Sequence, residues 1–406
     1  MDNPHPLISF DNTEYAFAYK SDKELKKARF LFSSMGFPAV VKWGTRLTPW
    51  AIRSGLPIKG LIRSTIFEQF VGGETLVETA QVADKLGRFK VQVILDYGVE
   101  GKEGEDNFDH ACEEFVKVIR YCDTQPNMPF MSVKVTGLAR FGLLEKLDAA
   151  ADASSGYQGR INTDGLTDGE KEEWERVEKR MDTIAAAAAQ TKVSVLVDAE
   201  DSWIQDPVDA LTMKMMARYN KSRAVIFNTI QLYRHDRFAF LKNSYEQATQ
   251  LDYVLGAKLV RGAYMEKERE RAQEKGYTDP IQADKAATDR DYDAAVRFCV
   301  DNLDRISLIV ASHNELSSLL TTQLMDAKKI PHNHPHVHFS QLFGMSDNIT
   351  FNLARAGYSV SKYLPFGPIG DVVPYLMRRA QENSSVAGQT GRELGLIRKE
   401  MKRRAN

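Results

Sequence analysis

The sequence predicts an α/β protein built as a (β/α)8 TIM-type barrel, and two patterns lead to that prediction. Eight short runs rich in Val, Ile and Leu recur along the chain, and helix-like segments separate them. Most of these runs are continuously apolar, which indicates strands buried on both faces, as in a parallel sheet. Eight alternating units favour a closed barrel, with an open doubly wound sheet as the alternative. The runs are residues 91–98, 131–137, 193–200, 223–233, 253–264, 305–314, 336–344 and 358–367.

Three stretches lie outside this alternation. Residues 1–90 are interpreted as a mainly helical N-terminal arm, ahead of a barrel over residues 91–388. Residues 148–170 are small, polar and rich in Gly, so they predict a surface insertion. Residues 389–406 form a basic C-terminal tail, interpreted as a solvated helix end, with a membrane-surface patch as the alternative. The helix-like segments between the strands are residues 107–122, 171–190, 207–219, 283–303 and 314–328.

Composition and charge exclude several classes of protein. The 406 residues hold 54 Lys+Arg against 55 Asp+Glu, without the basic excess that nucleic-acid binding needs. No apolar run approaches the roughly 20 residues that span a bilayer, and the N-terminus does not resemble a secretory signal. Cys112, Cys122 and Cys299 suit reduced thiols better than a disulfide framework. These features predict a cytoplasmic enzyme.

Polar side chains fall at nearly every predicted strand end, where barrel enzymes place their active sites. A single such residue means little, because many are ordinary caps. Charged groups on consecutive strand ends are hard to explain as packing, since a buried charge is costly unless it is paired or used in catalysis. The pattern therefore predicts an active site at this end of the barrel. The residues are Lys134, Asp198, Gln231, Lys258, Arg261, Tyr264, His313, Asn314, Gln341 and Tyr363.

The segment after the last strand, residues 371–383, predicts a helix with a binding face. Asp371 is interpreted as its cap, and Tyr375, Arg378, Arg379 and Glu382 follow at helical spacing. Two guanidinium groups beside an aromatic ring suit a carboxylate ligand, because arginine presents paired N–H donors in a fixed fork. The alternative is a solvated surface helix with an Arg378–Glu382 ion pair.

Several common motifs do not occur in the sequence. It contains no GxGxxG after a strand, no phosphate-binding GxxxxGK[ST] loop, no CxxC and no nucleophile elbow. The run HNHPHVH at residues 332–338 has four histidines at alternate positions. Pro335 interrupts it and no acidic cluster accompanies it, so we predict no metal site.

Several stretches together resemble one family, the proline dehydrogenases. The most specific are KLVRGAYMEKERERA at residues 258–272 and YLPFGPIGDVVPYLMRRAQENSSV at residues 363–386. VLVDAE, NTIQLY, ASHN and FSQLFGMSDN occur in the same order, and the resemblance runs from about residue 65 to about residue 388. It implies a distorted (β/α)8 barrel that binds FAD non-covalently at the strand C-termini. It also implies oxidation of L-proline to 1-pyrroline-5-carboxylate, with hydride passing to flavin N5.

The resemblance implies roles for individual residues. Those that would bind the proline carboxylate are Arg378, Arg379 and Lys134. Those that would surround the ring are Tyr363, Tyr375 and Leu259, with Tyr264 shaping the pocket. Glu100 resembles the acidic partner that closes an ion-pair lid with an arginine of this clamp.

The same resemblance implies a set of flavin contacts. Asp198 would lie beside the isoalloxazine edge as a charge partner that orients Lys134. Lys258 stands where the bifunctional bacterial members carry an arginine near N5, which keeps the charge but loses the fork. The other positions matching flavin contacts are Gln231, Arg261, Gly262, Ala263, Ser312, His313, Asn314 and Glu382.

The motifs look more like the monofunctional, eukaryotic-type branch of the family than the bifunctional bacterial one. The chain after residue 388 leaves no room for an aldehyde dehydrogenase domain, so a separate 1-pyrroline-5-carboxylate dehydrogenase is expected to use the product. The resemblance implies quinone as electron acceptor, and the basic tail suggests peripheral membrane contact. The expected compartment is the cytoplasm, or the mitochondrial matrix if the source is eukaryotic, and no nucleic-acid partner is expected.

Three alternatives to proline oxidation stay open. Hydroxyproline oxidation is the nearest, although the Tyr375 phenol would crowd a ring hydroxyl. A barrel lyase or aldolase could use Lys134 or Lys258 as a Schiff-base amine. A non-catalytic scaffold would leave the charged strand ends unexplained.

Overall fold

The computed structural model describes residues 8–37, 43, 59–98, 103–150, 161–385 and 387–406, without the side chains of residues 382–390. Its eight strands form a closed barrel in chain order. The printed pairings between neighbouring strands are parallel. The predicted (β/α)8 barrel is confirmed, and the open-sheet alternative is wrong. The strands are β1 (Gln92–Tyr97), β2 (Phe130–Val133), β3 (Ser194–Val197), β4 (Ile226–Gln231), β5 (Leu255–Val260), β6 (Ile306–Ala311), β7 (Val337–Leu342) and β8 (Val360–Phe366).

Each predicted apolar run contains one strand, but the strands are shorter than the runs. Every residue of β3, β4 and β8 is buried, as expected for strands covered on both faces. The run at residues 253–264 shows the difference, because β5 ends at Val260 and the next four residues form a loop. The polar residues that follow the strands therefore lie on loops at the carboxyl ends, where side chains can face a ligand.

The chain divides into two compact units, residues 101–339 and residues 1–100 with 340–406. In the first unit the five predicted helices are present. The helix of residues 168–189 begins with a capping box, in which Thr167 and Glu170 each bind the other's backbone N–H. The helices of this unit are α6 (Glu105–Asp123), α7 (Phe141–Ala149), α8 (Asp168–Ala189), α9 (Gln205–Tyr219), α10 (Arg237–Gln250), α11 (Met265–Lys275), α12 (Lys285–Asp301) and α13 (Glu315–Ala327).

Both ends of the predicted insertion at residues 148–170 are helical. Asp148 and Ala149 belong to the last turn of α7, and α8 begins at Asp168. Residues 151–160 lie outside the described part of the chain.

The second unit contains the N-terminal arm and the chain after β7. A π-helical turn, Arg63–Phe67, separates two of its short helices. The helices are α1 (Thr13–Phe17), α2 (Asp22–Met35), α3 (Lys59–Ile62), α4 (Glu68–Phe70), α5 (Leu76–Gly87), α14 (Asp347–Arg355), α15 (Ile369–Ser385) and α16 (Ala387–Ala405).

One apolar core joins the arm to α15 and α16. Phe17, Phe32 and Phe70 of the arm belong to the same buried cluster as Leu376 of α15 and Ile397 of α16. The tail predicted as a solvated helix end is helical over residues 387–405. Its last residues, Lys402, Arg403, Ala405 and Asn406, are exposed, whereas Leu396 and Ile397 are buried in this core. None of the helices in the described ranges is long and apolar enough to cross a membrane.

The basic residues of α16 are also engaged with the rest of this unit. Arg404 donates to Glu400 at 2.7 Å, to Asp22 at 2.8 Å and to the carbonyl of Phe17 at 2.9 Å. Arg403 donates to Glu400 as well, and the Glu400 side chain is fully buried. Arg404 thus connects the end of α16 to the N-terminal arm.

A buried charge cluster lies between β8, α14 and α16. The Lys362 ammonium, which is fully buried, lies 2.9 Å from the carboxylate of Asp347. Tyr19 donates its hydroxyl to the same carboxylate at 2.8 Å, and Lys20 lies 3.8 Å from it. The carboxyl of Glu393 accepts the backbone N–H of Ser346. Burial, with the nearby Asp347 charge, raises the pKa of Glu393 to about 7.

We expect Glu393→Gln to become more stabilising, relative to the unaltered protein, as pH rises from 5 to 8. A carboxyl whose folded pKa lies above its unfolded value contributes stability below the unfolded pKa and loses it as pH rises through the folded pKa. The neutral amide removes that loss, worth on the order of 2 kcal/mol. Urea unfolding at both pH values measures it, with the exposed Glu68→Gln as control. An equal effect at both pH values would contradict a raised pKa.

Candidate active site

Strand register decides which polar residues of the 101–339 unit share a face. Val197 pairs with Asn228 and Thr229 pairs with Lys258, so Asp198, Thr229 and Lys258 lie on one face. The Asn228 amide, on the other face, donates to Asp209 of α9 at 2.9 Å, and that face is therefore turned to the helices. Side chains alternate along a strand, so Asp198 and Lys258 face the barrel interior.

Asp198 and Lys258 form an ion pair at this position. The two side chains are 12% and 7% exposed, and the Lys258 ammonium donates to the Asp198 carboxylate. The Asp198 backbone N–H is held by the carbonyl of Val133 at 2.9 Å. Two charges so little exposed to water need each other's compensation. The resemblance led us to expect Lys134 as the partner of Asp198, and the structure adds Lys258 as a direct one.

Lys134 follows β2 on the same face as Asp198. Ser132 pairs with Leu196, so two residues further on Lys134 is level with Asp198, and its side chain is half-buried. Three of the predicted site residues of this unit are therefore brought together by register alone.

Leu259 is not brought to that face. It directly follows Lys258 in β5, so its side chain points to the helices, and it is fully buried there. Its backbone carbonyl accepts the Tyr292 hydroxyl of α12 at 3.2 Å. We therefore leave Leu259 out of the proposed ring wall.

Glu200 is a site residue that the sequence reasoning missed. Its carboxylate accepts the Thr136 hydroxyl at 2.7 Å and the Thr136 backbone N–H at 3.3 Å. Its carbonyl accepts the side chain of Gln231 at 2.6 Å. Glu200 thereby links the loops after β2 and β3 to the end of β4. The signal was present in VLVDAE, where a second acidic residue follows Asp198 by two positions.

The loop after β5 has two small, exposed residues, so its backbone is accessible. Gly262 and Ala263 are exposed, and a Cβ added to Gly262 would lie 2.2 Å from Sδ of Met265. Glycine is thus required unless Met265 moves. Tyr264, half-buried, precedes α11 and accepts the Glu268 N–H through its carbonyl at 2.9 Å. A ligand can approach this backbone closely.

Arg261 is directed toward the helices beside this loop. Its guanidinium forms an ion pair with Asp289, donates to Ser317 at 2.5 Å and to Ser312 at 3.2 Å, and lies 4.1 Å from the Tyr292 ring centroid. The Arg261 guanidinium therefore already has partners within the protein, and a bound cofactor would share it with them.

The residues after β6 make local structural contacts. Ser312 is buried and accepts the backbone N–H of Asn314 at 3.0 Å. The Asn314 side chain caps α13 by accepting from Leu316 at 2.9 Å and Ser317 at 3.2 Å. His313 between them is half-buried.

These strand ends fit a flavin dinucleotide in their chemistry. They present arginine, lysine, hydroxyl and amide donors, which suit phosphate and ring carbonyl oxygens. Next to them lies the exposed Gly262–Ala263 backbone.

The second unit contains a helix with an aromatic and cationic face. Arg379 of α15 is 7% exposed, Tyr375 is 8% exposed, and the Arg379 guanidinium lies 5.1 Å from the Tyr375 ring centroid. Arg378 beside it is half-buried. The solvated-helix alternative is wrong for this face, because its residues are largely buried. Tyr363 of β8 is also buried, opposite Ile94 in the neighbouring strand.

Two further predicted residues lie beyond the described side chains. Glu100 lies outside the described residues, and the Glu382 side chain lies in the part of α15 whose side chains are not described. Asp371 lies in the first turn of α15, and the helix begins two residues before it, so its predicted role as cap is wrong.

The histidine run and Gln341 have local structural partners. His332 bonds Asp326 at 2.9 Å, His336 bonds the Leu303 carbonyl at 2.6 Å, and Gln341 accepts from Thr350 at 2.8 Å. Burial lowers the pKa of His338 to about 3. Among the described residues, no three His, Cys, Asp or Glu side chains are grouped to hold a metal ion.

Comparison with known proteins identifies close relatives in sequence. The sequence profile of the family described as Proline dehydrogenase matches residues 79–392. Hydroxyproline dehydrogenase of Xenopus laevis is 34% identical over 422 residues, covering 96% of this chain and 88% of that protein. Proline dehydrogenase 1, mitochondrial, of Dictyostelium discoideum is 35% identical over 379 residues, covering 86% of this chain. The match spans 66% of the Dictyostelium protein, just under two thirds of its length.

Solved structures show the same fold at low sequence identity. Proline utilization A (PutA) from Bdellovibrio bacteriovorus, inactivated by N-propargylglycine, superposes with a TM-score of 0.70 at 17% identity. The match covers 93% of this chain and 42% of that one. It supports the barrel architecture and nothing finer.

We expect Lys258→Met to lower the free energy of unfolding by about 3 kcal/mol, because it leaves the buried Asp198 carboxylate without this ion-pair partner. Adding Asp198→Asn should restore part of the loss, since a neutral amide needs no cation. Urea unfolding at pH 7 measures both. The matched control is Lys171→Met, whose exposed pair with Asp168 should contribute less than about 1 kcal/mol. Equal losses in the two lysine variants would show that the buried pair has no special role.

Proposed function

Because the chain belongs to the proline dehydrogenase family, we propose that it catalyses the FAD-dependent oxidation of L-proline to 1-pyrroline-5-carboxylate, the first step of proline catabolism. The family profile over residues 79–392 supports the reaction. The observation that carries the substrate assignment is the buried face of α15, where Arg379 lies against the Tyr375 ring. Such a face suits a small ring with a carboxylate.

In this proposal the substrate carboxylate is bound by Arg378, Arg379 and Lys134. Guanidinium forks can bind both carboxylate oxygens, and partial burial strengthens these bonds by excluding water. Two arginines also fix the orientation of the ring, which decides which carbon is presented for oxidation.

The proposed walls of the ring pocket are Tyr363, Tyr375 and Tyr264. Tyr363 and Tyr375 are buried and Tyr264 is half-buried, so the first two have little freedom to move away from a bound ring. An aromatic wall excludes water from the reacting C–H bond and leaves little room for ring substituents.

The residues proposed to hold FAD are Asp198, Gln231, Lys258, Arg261, Gly262, Ala263, Ser312, His313, Asn314 and Glu382. When bound, the flavin supplies a hydride acceptor for the carbon beside the proline nitrogen. The protein supplies orientation and charge. Asp198 holds the Lys258 ammonium in place, and Glu200 holds the loops that carry Lys134 and Asp198. Gly262 and Ala263 present an exposed backbone with small or no side chains.

We further propose quinone as electron acceptor and a separate 1-pyrroline-5-carboxylate dehydrogenase as the next enzyme; the resemblance supports both. Several relatives are named mitochondrial proteins, which supports the matrix as one compartment and leaves the bacterial cytoplasm as the other. Peripheral membrane contact through the basic tail has less support than expected, since Arg403 and Arg404 are engaged in ion pairs.

Hydroxyproline oxidation is the second candidate, favoured by the extent of the match to the Xenopus hydroxyproline dehydrogenase. The buried phenol of Tyr375 favours proline, because it leaves little space for a ring hydroxyl. A Schiff-base lyase acting through Lys258 is disfavoured, since that side chain is engaged in an ion pair with Asp198.

The purified protein should show flavin absorption that bleaches with L-proline under anaerobic conditions. In Arg378→Ala we expect half-bleaching to need at least about tenfold more proline, because a charged bond to the carboxylate is lost. Arg398→Ala, an exposed arginine of α16, should leave the titration unchanged. Protein that stays colourless with added FAD and does not respond to proline would contradict the proposed function.

We expect Tyr375→Ala to raise the ratio of kcat/KM for 4-hydroxy-L-proline to kcat/KM for L-proline by about tenfold, because removing the phenol opens space for a ring hydroxyl. Steady-state kinetics with both substrates measure the ratio. The control is Tyr277→Ala, since Tyr277 is 40% exposed. An unchanged ratio would show that Tyr375 does not select the ring.

A further inference from the structure

The helix that carries the arginine pair is capped from outside its own sequence. The backbone N–H of Ile369, the first residue of α15, donates to the Glu74 carboxylate at 3.3 Å. The first N–H groups of a helix have no partner within it, and the helix dipole favours a negative charge there. Glu74 supplies both an acceptor and a charge, from a position 295 residues earlier in the chain.

The chain around Glu74 is built against the end of β8. Gly72 donates to the Pro365 carbonyl at 2.8 Å, and Gly367 donates to the Gly73 carbonyl at 3.0 Å. A Cβ on Gly73 would lie 2.5 Å from the Cβ of Glu78, so a side chain there would force the segment to shift. This close approach places Glu74 at the start of α15.

Glu74 is itself held by an arginine of the N-terminal arm. Arg63 donates to Glu74 at 2.6 Å and to Glu78 at 2.9 Å, and the Glu74 backbone N–H donates to the Glu78 carboxylate at 2.9 Å. That backbone bond, with Arg63, lowers the pKa of Glu78. Arg63 opens the π-helical turn Arg63–Phe67, and single π-turns within helices often mark functional positions.

We propose that Glu74 is a positioning residue for the carboxylate clamp on α15, and that Arg63 of the arm acts through it. This inference rests on the proposed function, which assigns Arg378 and Arg379 to the substrate carboxylate.

The cap supplies a directional constraint on α15 that the apolar core lacks. Val372 and Leu376 bury one face of α15, but apolar burial is non-directional and tolerates small shifts along the helix axis. A hydrogen bond at the first residue is directional, and it sets the axial position of the helix. Shifts of about 1 Å at substrate-positioning groups are enough to reduce turnover strongly.

The test compares two ligands of the holoenzyme that differ in charge. Cyclopentanecarboxylate carries the ring and the carboxylate, whereas cyclopentylmethanol carries the ring and a neutral hydroxyl. Isothermal titration gives both dissociation constants for Glu74→Ala, Glu74→Gln and Arg63→Ala. The control is Glu68→Gln, which breaks the Lys27–Glu68 ion pair of the same arm at 2.7 Å.

We expect Glu74→Ala to weaken carboxylate binding about tenfold, with alcohol binding changed less than twofold. Glu74→Gln keeps an oxygen acceptor for Ile369 but loses the charge, so it should fold normally and show an intermediate loss. Arg63→Ala should weaken carboxylate binding in the wild type and add nothing in Glu74→Ala. The KM for proline should rise more than kcat falls.

Two results would overturn the inference. An equal loss for both ligands in Glu74→Gln would mean general loosening, since Tyr375 lies on the same helix, and unchanged binding of both would mean no positioning role. Failure of the proposed function is distinguishable, because the unaltered protein itself would then not prefer the carboxylate to the alcohol.

Discussion

The alternation of side chains in a closed parallel barrel is the constraint on which the rest of the structure depends. The same register that turns Asn228 toward α9 turns Asp198 and Lys258 to the interior. A one-residue shift would exchange the faces and bury Leu259 where the charges now lie. The position of the candidate site thus depends on strand pairing more than on any single residue.

A buried charge must be compensated locally, and each of the two units contains such a pair. Asp198 pairs with Lys258 in one unit, and Asp347 pairs with Lys362 in the other. The second pair has no proposed catalytic part and joins β8 to α14, with Tyr19 of the arm on the same carboxylate. Buried ion pairs here therefore serve a structural purpose in one case and a proposed catalytic one in the other, and only their neighbours distinguish them.

The N-terminal arm and the C-terminal helix both help to hold α15 in place. Both contribute to the core that packs against α15, and Glu74 of the arm caps that helix. A helix that presents two arginines must hold them still, because each guanidinium has a long, rotatable side chain. The flanking segments outside the barrel strands thereby bear directly on the proposed substrate clamp.

The sequence by itself determined the barrel class, the eight strand positions and the polar character of the strand ends, because these depend on local apolar periodicity. It also determined the family, through motifs such as KLVRGAY. Only the tertiary structure decided which polar side chains meet. The pairing of Lys258 with Asp198, the outward direction of Leu259, the packing of α16 and the cap at Ile369 all depend on contacts between residues far apart in the chain. No local pattern encodes such contacts: Asp371 was the nearest acidic residue to the helix start, yet Glu74 provides the cap.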